Sequence, residues 1–200
     1  KGGVGRTFIA VNLAVALAKL RKGKKILLLD MDLELPADMA KLLNLKPVRA
    51  LNELMPDWKE GKYSQALLDD YILHHARSGL DFLPFTLHTR DSLSMRLDDK
   101  FIPSILNDLS SQYEFIITDS GRAFTQLLVS YLEQANLILL VVNPDVLSVA
   151  QAKEAIEILQ SFYFPLKMVR AILNRAESLG GATWRDVKTA LPCDIIARIP

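Results

Sequence analysis

Lys1-Gly2-Gly3-Val4-Gly5-Arg6-Thr7 runs without interruption into the apolar-periodic segment Phe8 to Leu20. Glycines let backbone N–H groups converge, and a loop of this kind opening straight into a helix sets those donors at the positive end of the helix dipole. The stretch reads as a cradle for phosphate, and hence as a nucleotide site. The ordinary phosphate loop has the pattern G-x-x-x-x-G-K-[ST], with the lysine on the terminal phosphates and the hydroxyl on a magnesium ion. Gly5 is the final glycine of that pattern and Thr7 its hydroxyl, whereas Arg6 stands at the lysine position and Lys1 at the first of the four variable positions before Gly5. Taken alone, Gly2, Gly3 and Gly5 also fit a simple tight turn.

Outward from the loop, Ile9, Leu13, Ala16, Leu17 and Leu20 recur at helical spacing, and Arg21-Lys22-Gly23 ends that helix with basic residues and a terminating glycine. Ile26 to Leu29 is a short all-apolar run, typical of a strand buried on both faces, and it ends in Asp30-Met31-Asp32. Two acids at the C-terminal end of a parallel strand lie where open α/β sheets place their ligands. Asp32 alone fits equally a solvated carboxylate or a cap on a helix near Ala37 to Leu43.

Residues 47–73 read as a polar-punctuated helical stretch, Ser78-Gly79 as a turn, Leu80 to Pro84 as a strand stopped by proline, and about 99–110 as a helix. Tyr113 to Ser120 is a strand carrying an acid, Asp119, near its end, the Walker B pattern in which a carboxylate holds magnesium through water. Leu137 to Val142 is a further apolar strand, followed by Asn143-Pro144-Asp145 and by Ser148. That helix is amphipathic, with Val149, Ala152, Ile156 and Leu159 inward and Lys153, Glu154 and Glu157 outward. Val169 to Leu173 is a strand ending in Asn174-Arg175, and Ile195 to Ile199 a last one. Strands alternating with helices predict an α/β fold over residues 1–200 as one domain, a mostly parallel sheet with helices on both faces.

Two hundred residues, half of them hydrophobic, can bury one sizeable core. A net charge of +1 gives no general attraction for nucleic acid or anionic lipid, and no specific nucleic-acid partner is evident. The single cysteine, Cys193, leaves no intramolecular disulfide and no cysteine-rich metal site. His74 and His75 on a helix would point about a hundred degrees apart, so they read as surface or boundary residues, and His88 is isolated in a loop. No apolar run is long enough to span a bilayer, and the expected location is the cytoplasm. A phosphate loop normally hangs from a buried strand, so a strand upstream of Lys1 is expected, and a helix or tail beyond Pro200.

Lys1 opening K-G-G-x-G resembles the deviant phosphate loop of the ParA/MinD family, whose members read K-G-G-x-G-K-[ST]. The resemblance covers nearly the whole chain and is strongest over residues 1–32 and 113–175. It implies a P-loop NTPase fold, ATP with Mg2+, and a homodimer closed across ATP. By the same resemblance Lys1 is the signature lysine that reaches the partner's nucleotide, and Asp32 helps to position the attacking water, which makes both catalytic. Gly2, Gly3, Val4, Gly5, Arg6, Thr7 and Phe8 would line the nucleotide, while Thr7, Asp30 and Asp119 would hold the metal. Asp38 corresponds to a further polar position after D-x-D.

Asp119-Ser120-Gly121-Arg122 partly matches the family's D-[ST]-x-[PG]-G, and Asn143 to Ser148 resembles its V-x-[TN]-P-[DE]-x-x-[SA] segment, which implies that Ser148 caps the next helix. Asn174-Arg175 is similar to V-x-N-[RK], whose asparagine reads the adenine edge, an amide being able to donate and accept at once. The other reading of Asn174 is a cap on a turn. Arg6 and Phe8 depart from the family pattern. Guanidinium is a planar fork rather than a point charge, and although it binds phosphate in a bidentate way the swap is not conservative. Nucleotide binding is therefore expected and ATP turnover is left open.

Leu51-Asn52-Glu53-Leu54, Ala66-Leu67-Leu68 and then Ser78-Gly79 before Leu83-Pro84 resemble the CpaE/TadZ pilus-assembly branch. That branch implies an ATPase that positions pilus-assembly or secretion machinery and is recruited by partners to a pole or the inner membrane surface. Two alternatives stand beside it. One is a non-hydrolysing dimeric scaffold, favoured by Arg6 and Phe8; the other is a DNA-partition or cell-division-site ATPase, which needs a basic surface or an amphipathic tail. The nitrogenase iron-protein branch needs two cysteines per subunit for a bridging cluster and is excluded by the lone Cys193.

Overall fold

The computed structural model describes residues 3–33, 38–88, 98–121, 125–178 and 180–200. They fall in two compact units, one of Thr7–Gln134 and one of Lys1–Arg6 with Ala135–Pro200.

In the first, α1 (Arg6–Leu20) is followed by a turn with Gly23 in the left-handed region at φ 80°, where a side chain would be strained. β1 (Ile26–Met31) is buried at all six positions because it lies inside the sheet, parallel to β3 (Leu80–Pro84) on one side and to β4 (Phe115–Ser120) on the other. Alternate residues of β1 serve two cores, as a two-residue period requires. Leu27, Leu29 and Met31 join Phe85, Phe101, Ile105 and Leu109, while Ile26 and Leu28 join Ala10, Val11 and Ala14 of α1. Thus α1 covers one face and α5 (Phe101–Ser110) the other. The strand order is β2-β3-β1-β4, with β2 (Leu73–His75) antiparallel to β3.

Two expectations are corrected here. Residues 47–73 do not form continuous helix but a 3-10 turn (Leu51–Leu54), α3 (Met55–Lys59) and α4 (Gln65–Asp69), after the short α2 (Asp38–Leu42). Pro56 occupies the first turn of α3, Gly61 takes φ 71° behind it, and Ser64 restarts helix by accepting from the Leu67 N–H at 3.2 Å. His74 and His75 lie on strand β2 rather than on helix, so they point to opposite sides: His74 Nδ1 is 2.8 Å from Asp81 Oδ1 and His75 Nδ1 2.6 Å from Ser78 Oγ. Asp81 also accepts from the Tyr113 hydroxyl at 2.8 Å. Burial, and then the Asp81 carboxylate, push the Tyr113 phenol well above its ordinary range.

Glu114 ties the end of α1 to the start of β4: its carboxylate accepts from Arg21 and lies 3.3 Å from Lys24 Nζ. The Arg21 hydrogen bond, assisted by Lys24, holds this carboxyl below its usual range. A carboxyl depressed on folding adds stability above its unfolded pKa and loses it as pH falls through the folded one. Glu114→Gln is therefore expected to lower the urea midpoint slightly at pH 7 and to leave it unchanged at pH 2. An equal loss at both pH values would remove the ionic explanation.

In the second unit β5 (Ile138–Val142), β6 (Val169–Leu173) and β7 (Ile195–Arg198) are parallel in that order. α7 (Val146–Ser161) packs on β5 through the side that buries Ala152, Ile156 and Leu159. Its N-cap is Asp145, whose carboxylate accepts from the Ser148 N–H at 2.8 Å, and not Ser148 as the sequence pattern suggested. Ser148 lies inside the first turn, buried, and its hydroxyl accepts from the Asn143 N–H at 2.9 Å. Two short helices, α6 (Gln126–Leu132) and α8 (Trp184–Ala190), have no counterpart in the sequence reading. No helix among the described residues is long and apolar enough to cross a membrane.

Candidate functional site

Parallel pairing sets Asp30 of β1 directly beside Asp119 of β4, with Met31 opposite Ser120 one step further. Both carboxylates end in the interior, at 4% and 3% exposure. Buried acids at neighbouring strand ends are costly to charge unless cations or hydrogen-bond donors meet them. Asp32, equally enclosed, donates its backbone N–H to Asp30 Oδ1 at 3.2 Å, which fixes the rotamer of Asp30. A Cβ added at Gly121, the residue after Ser120, would lie 3.8 Å from Asp32 Oδ1, in ordinary contact with this turn. The D-x-D turn and the strand end carrying Asp119 thus lie side by side at one end of the sheet.

Thr7 is the second residue of α1 and half-buried; Phe8 beside it is 60% exposed. Asp38 opens α2 and pairs with Lys41 at 2.8 Å, a helix-surface contact. Lys1 and Gly2, and with them the signature-lysine position, lie outside the described residues.

In the other unit the loop has Gly3 at φ 78° and Gly5 at φ 95°, both left-handed, around a buried Val4. Left-handed residues alternating with ordinary ones turn successive N–H groups to one side, the arrangement that binds anions. Arg6 begins the helix. Asn174, at the end of β6, is buried and donates its side-chain amide to the Val4 carbonyl at 2.8 Å. Arg175 next to it is exposed with φ 53°. The Val4 carbonyl was not anticipated as a partner of Asn174, since 170 positions separate the two residues and neither pattern signals the other.

These residues fit the groups expected of them. The two glycine conformations and the N-terminus of α1 suit phosphate. The Asp30–Asp119 pair suits Mg2+, which takes one or two carboxylates and completes its shell with water and phosphate oxygen. Among the described residues no group of three or more His, Cys, Asp or Glu forms a self-sufficient metal cage.

The chain is similar to known proteins over its whole length. A family model described as an AAA domain matches residues 1–168. The septum site-determining protein MinD of Thermotoga maritima is 30% identical over 213 aligned residues, covering 100% of this chain and 72% of that protein. Among solved structures, MinD of Pyrococcus horikoshii OT3 complexed with Mg-ADP superposes with a TM-score of 0.80 at 23% identity, covering 100% of this chain and 77% of that one. MinD in the MinC:MinD cell division complex of Aquifex aeolicus gives 0.75 at 27% identity, with 100% and 78% covered. The matched span takes in the glycine loop, the D-x-D strand and the Walker B strand in one order, and the chain belongs to the MinD/ParA family of P-loop ATPases.

Proposed function

We propose that this chain is an ATP-binding switch with a deviant Walker A loop, closing as a homodimer across ATP and Mg2+ to position pilus-assembly or secretion machinery, as in the CpaE/TadZ branch. The observation that carries the nucleotide reading is the register of Asp30 against Asp119, two acids far apart in sequence and neighbours at one sheet end. Mg-ADP in the P. horikoshii relative and the protein partner of the A. aeolicus one support the cofactors and the mode of action. The branch rests on the order of Leu51–Leu54, Ala66–Leu68 and Ser78–Pro84. Partners bring the chain from the cytoplasm to a pole or the inner membrane face.

In this reading the loop N–H groups from Gly2 to Gly5 and the Arg6 guanidinium bind the phosphates, with Val4 and Phe8 beside them. Thr7, Asp30 and Asp119 hold the metal. Bound Mg2+ supplies neutralisation of phosphate charge. Asp32 orients water, held by the same turn that fixes Asp30. Lys1 of each protomer neutralises charge on the other's nucleotide, as an arginine finger does elsewhere. The family resemblance alone would set Asn174 and Arg175 on the base side.

Dimerisation measured by light scattering, with and without Mg-ATP, tests the switch: Lys1→Ala is expected to remove the nucleotide-dependent dimer. A dimer indifferent to both ATP and Lys1 would overturn it. Arg6 favours a second reading, a scaffold that binds nucleotide with little turnover. There Arg6→Lys should raise the ATPase rate about tenfold or more, a barrier change of ~1.4 kcal/mol. Brisk turnover by the natural protein would end the scaffold reading.

A further inference from the structure

We infer that Asn174 is a positioning residue for the phosphate loop, acting on phosphate affinity through the Val4 carbonyl rather than on base choice. The inference deepens the nucleotide reading above and rests on it. Asn174 is anchored by its own backbone, whose N–H donates to the Val142 carbonyl of β5 at 2.8 Å, so its side chain leaves a rigid strand end. That side chain is 8% exposed and gives its Nδ2 to Val4 O at 2.8 Å. A carbonyl only accepts, so chemistry requires the amide nitrogen, and not its oxygen, to face Val4.

The consequence runs through the peptide plane. In a trans peptide the carbonyl of one residue and the N–H of the next point in opposite directions. Holding Val4 O toward Asn174 therefore turns the Gly5 N–H the other way. Gly5 tolerates either sign of φ, so its preceding peptide could otherwise flip. A flip would present the Val4 carbonyl where the N–H had been and repel an anion. The contact is close on the Gly5 side as well, where a Cβ would sit 2.5 Å from Nδ2. Asn174 thus bears on both halves of the Val4–Gly5 peptide, and one of its two amide hydrogens is committed there.

The test uses the full chain with Mg2+ and two ligands, inorganic tripolyphosphate, which has no base, and ATP, with GTP as a competitor. For Asn174→Ala and the volume-keeping Asn174→Leu, calorimetry should show tripolyphosphate and ATP affinity falling by the same factor, about tenfold or more, with the ATP-to-GTP ratio unchanged. Unchanged tripolyphosphate affinity with a collapsed ATP-to-GTP ratio makes Asn174 a base reader and overturns the inference. Natural protein that binds tripolyphosphate but not ATP defeats the ATP reading and leaves the loop inference standing on the tripolyphosphate arm; natural protein that binds neither defeats both. Should the variants fold poorly, the natural protein labelled with 13C at the Val4 carbonyl and 15N at the Asn174 side chain supplies the decision. A through-hydrogen-bond coupling between the two is expected, and its absence refutes the contact.

Discussion

Gly5→Ala is expected to weaken ATP binding roughly 30- to 150-fold, read by calorimetry against the natural protein. Two costs combine. An L-residue held at φ 95° is strained by ~1–2 kcal/mol. The new Cβ would also lie 2.5 Å from Asn174 Nδ2, and moving that amide forfeits its hydrogen bond to Val4, about 1 kcal/mol. Together they come to about 2–3 kcal/mol, at 1.4 kcal/mol per factor of ten. Gly3 is the internal control. It shares the left-handed conformation at φ 78° but has nothing within 4 Å of an added Cβ, so Gly3→Ala should cost only the strain, about 5- to 30-fold. Equal losses at the two positions would mean that the approach of Asn174 to Gly5 has no bearing on the loop.

Asp119→Asn is expected to reduce ATP turnover about 10²- to 10³-fold, the range seen when a preorganised electrostatic group is removed from a reaction site. The substitution keeps the shape of a side chain that is 3% exposed, so the sheet should survive it. What it removes is a carboxylate oxygen with the hard, anionic character that Mg2+ selects. If natural turnover proves slow, the same variant reads out in binding: Mg2+ should tighten ATP binding to the natural protein and cease to do so in Asp119→Asn. An Asp119→Asn protein that keeps both rate and magnesium dependence would take Asp119 out of the metal site. Because Asp30 is its register partner, Asp30→Asn should show the same loss of magnesium dependence.

Parts of the fold were legible before any coordinate. Ile26 to Leu29 is a short apolar run that can only be satisfied between two covered faces, and it, Leu80 to Pro84 and Val169 to Leu173 all lie in strands where the sequence reading put them. β2 was not legible, because Leu73-His74-His75 is three residues long and takes its conformation from pairing with β3. The short α8 buries only Val187, too little apolar periodicity to announce a helix. The cap of α7 illustrates a finer limit. Asp145 and Ser148 are both good capping residues, and which one caps depended on where the strand before them released the chain.

The amino-acid order by itself determined the chemical inventory: glycines able to adopt left-handed turns, a hydroxyl at a helix start, and acids at the ends of apolar strands. Those are properties of single residues and their near neighbours, and local sterics and polarity are enough to set them. Tertiary structure alone decided the pairings. Asp30 meets Asp119 because two parallel strands settle in one register, and Asn174 reaches Val4 because β6 ends beside the loop. Register and strand placement are fixed by burying both faces of a sheet at once, a condition that involves the whole unit and leaves no mark at any single position.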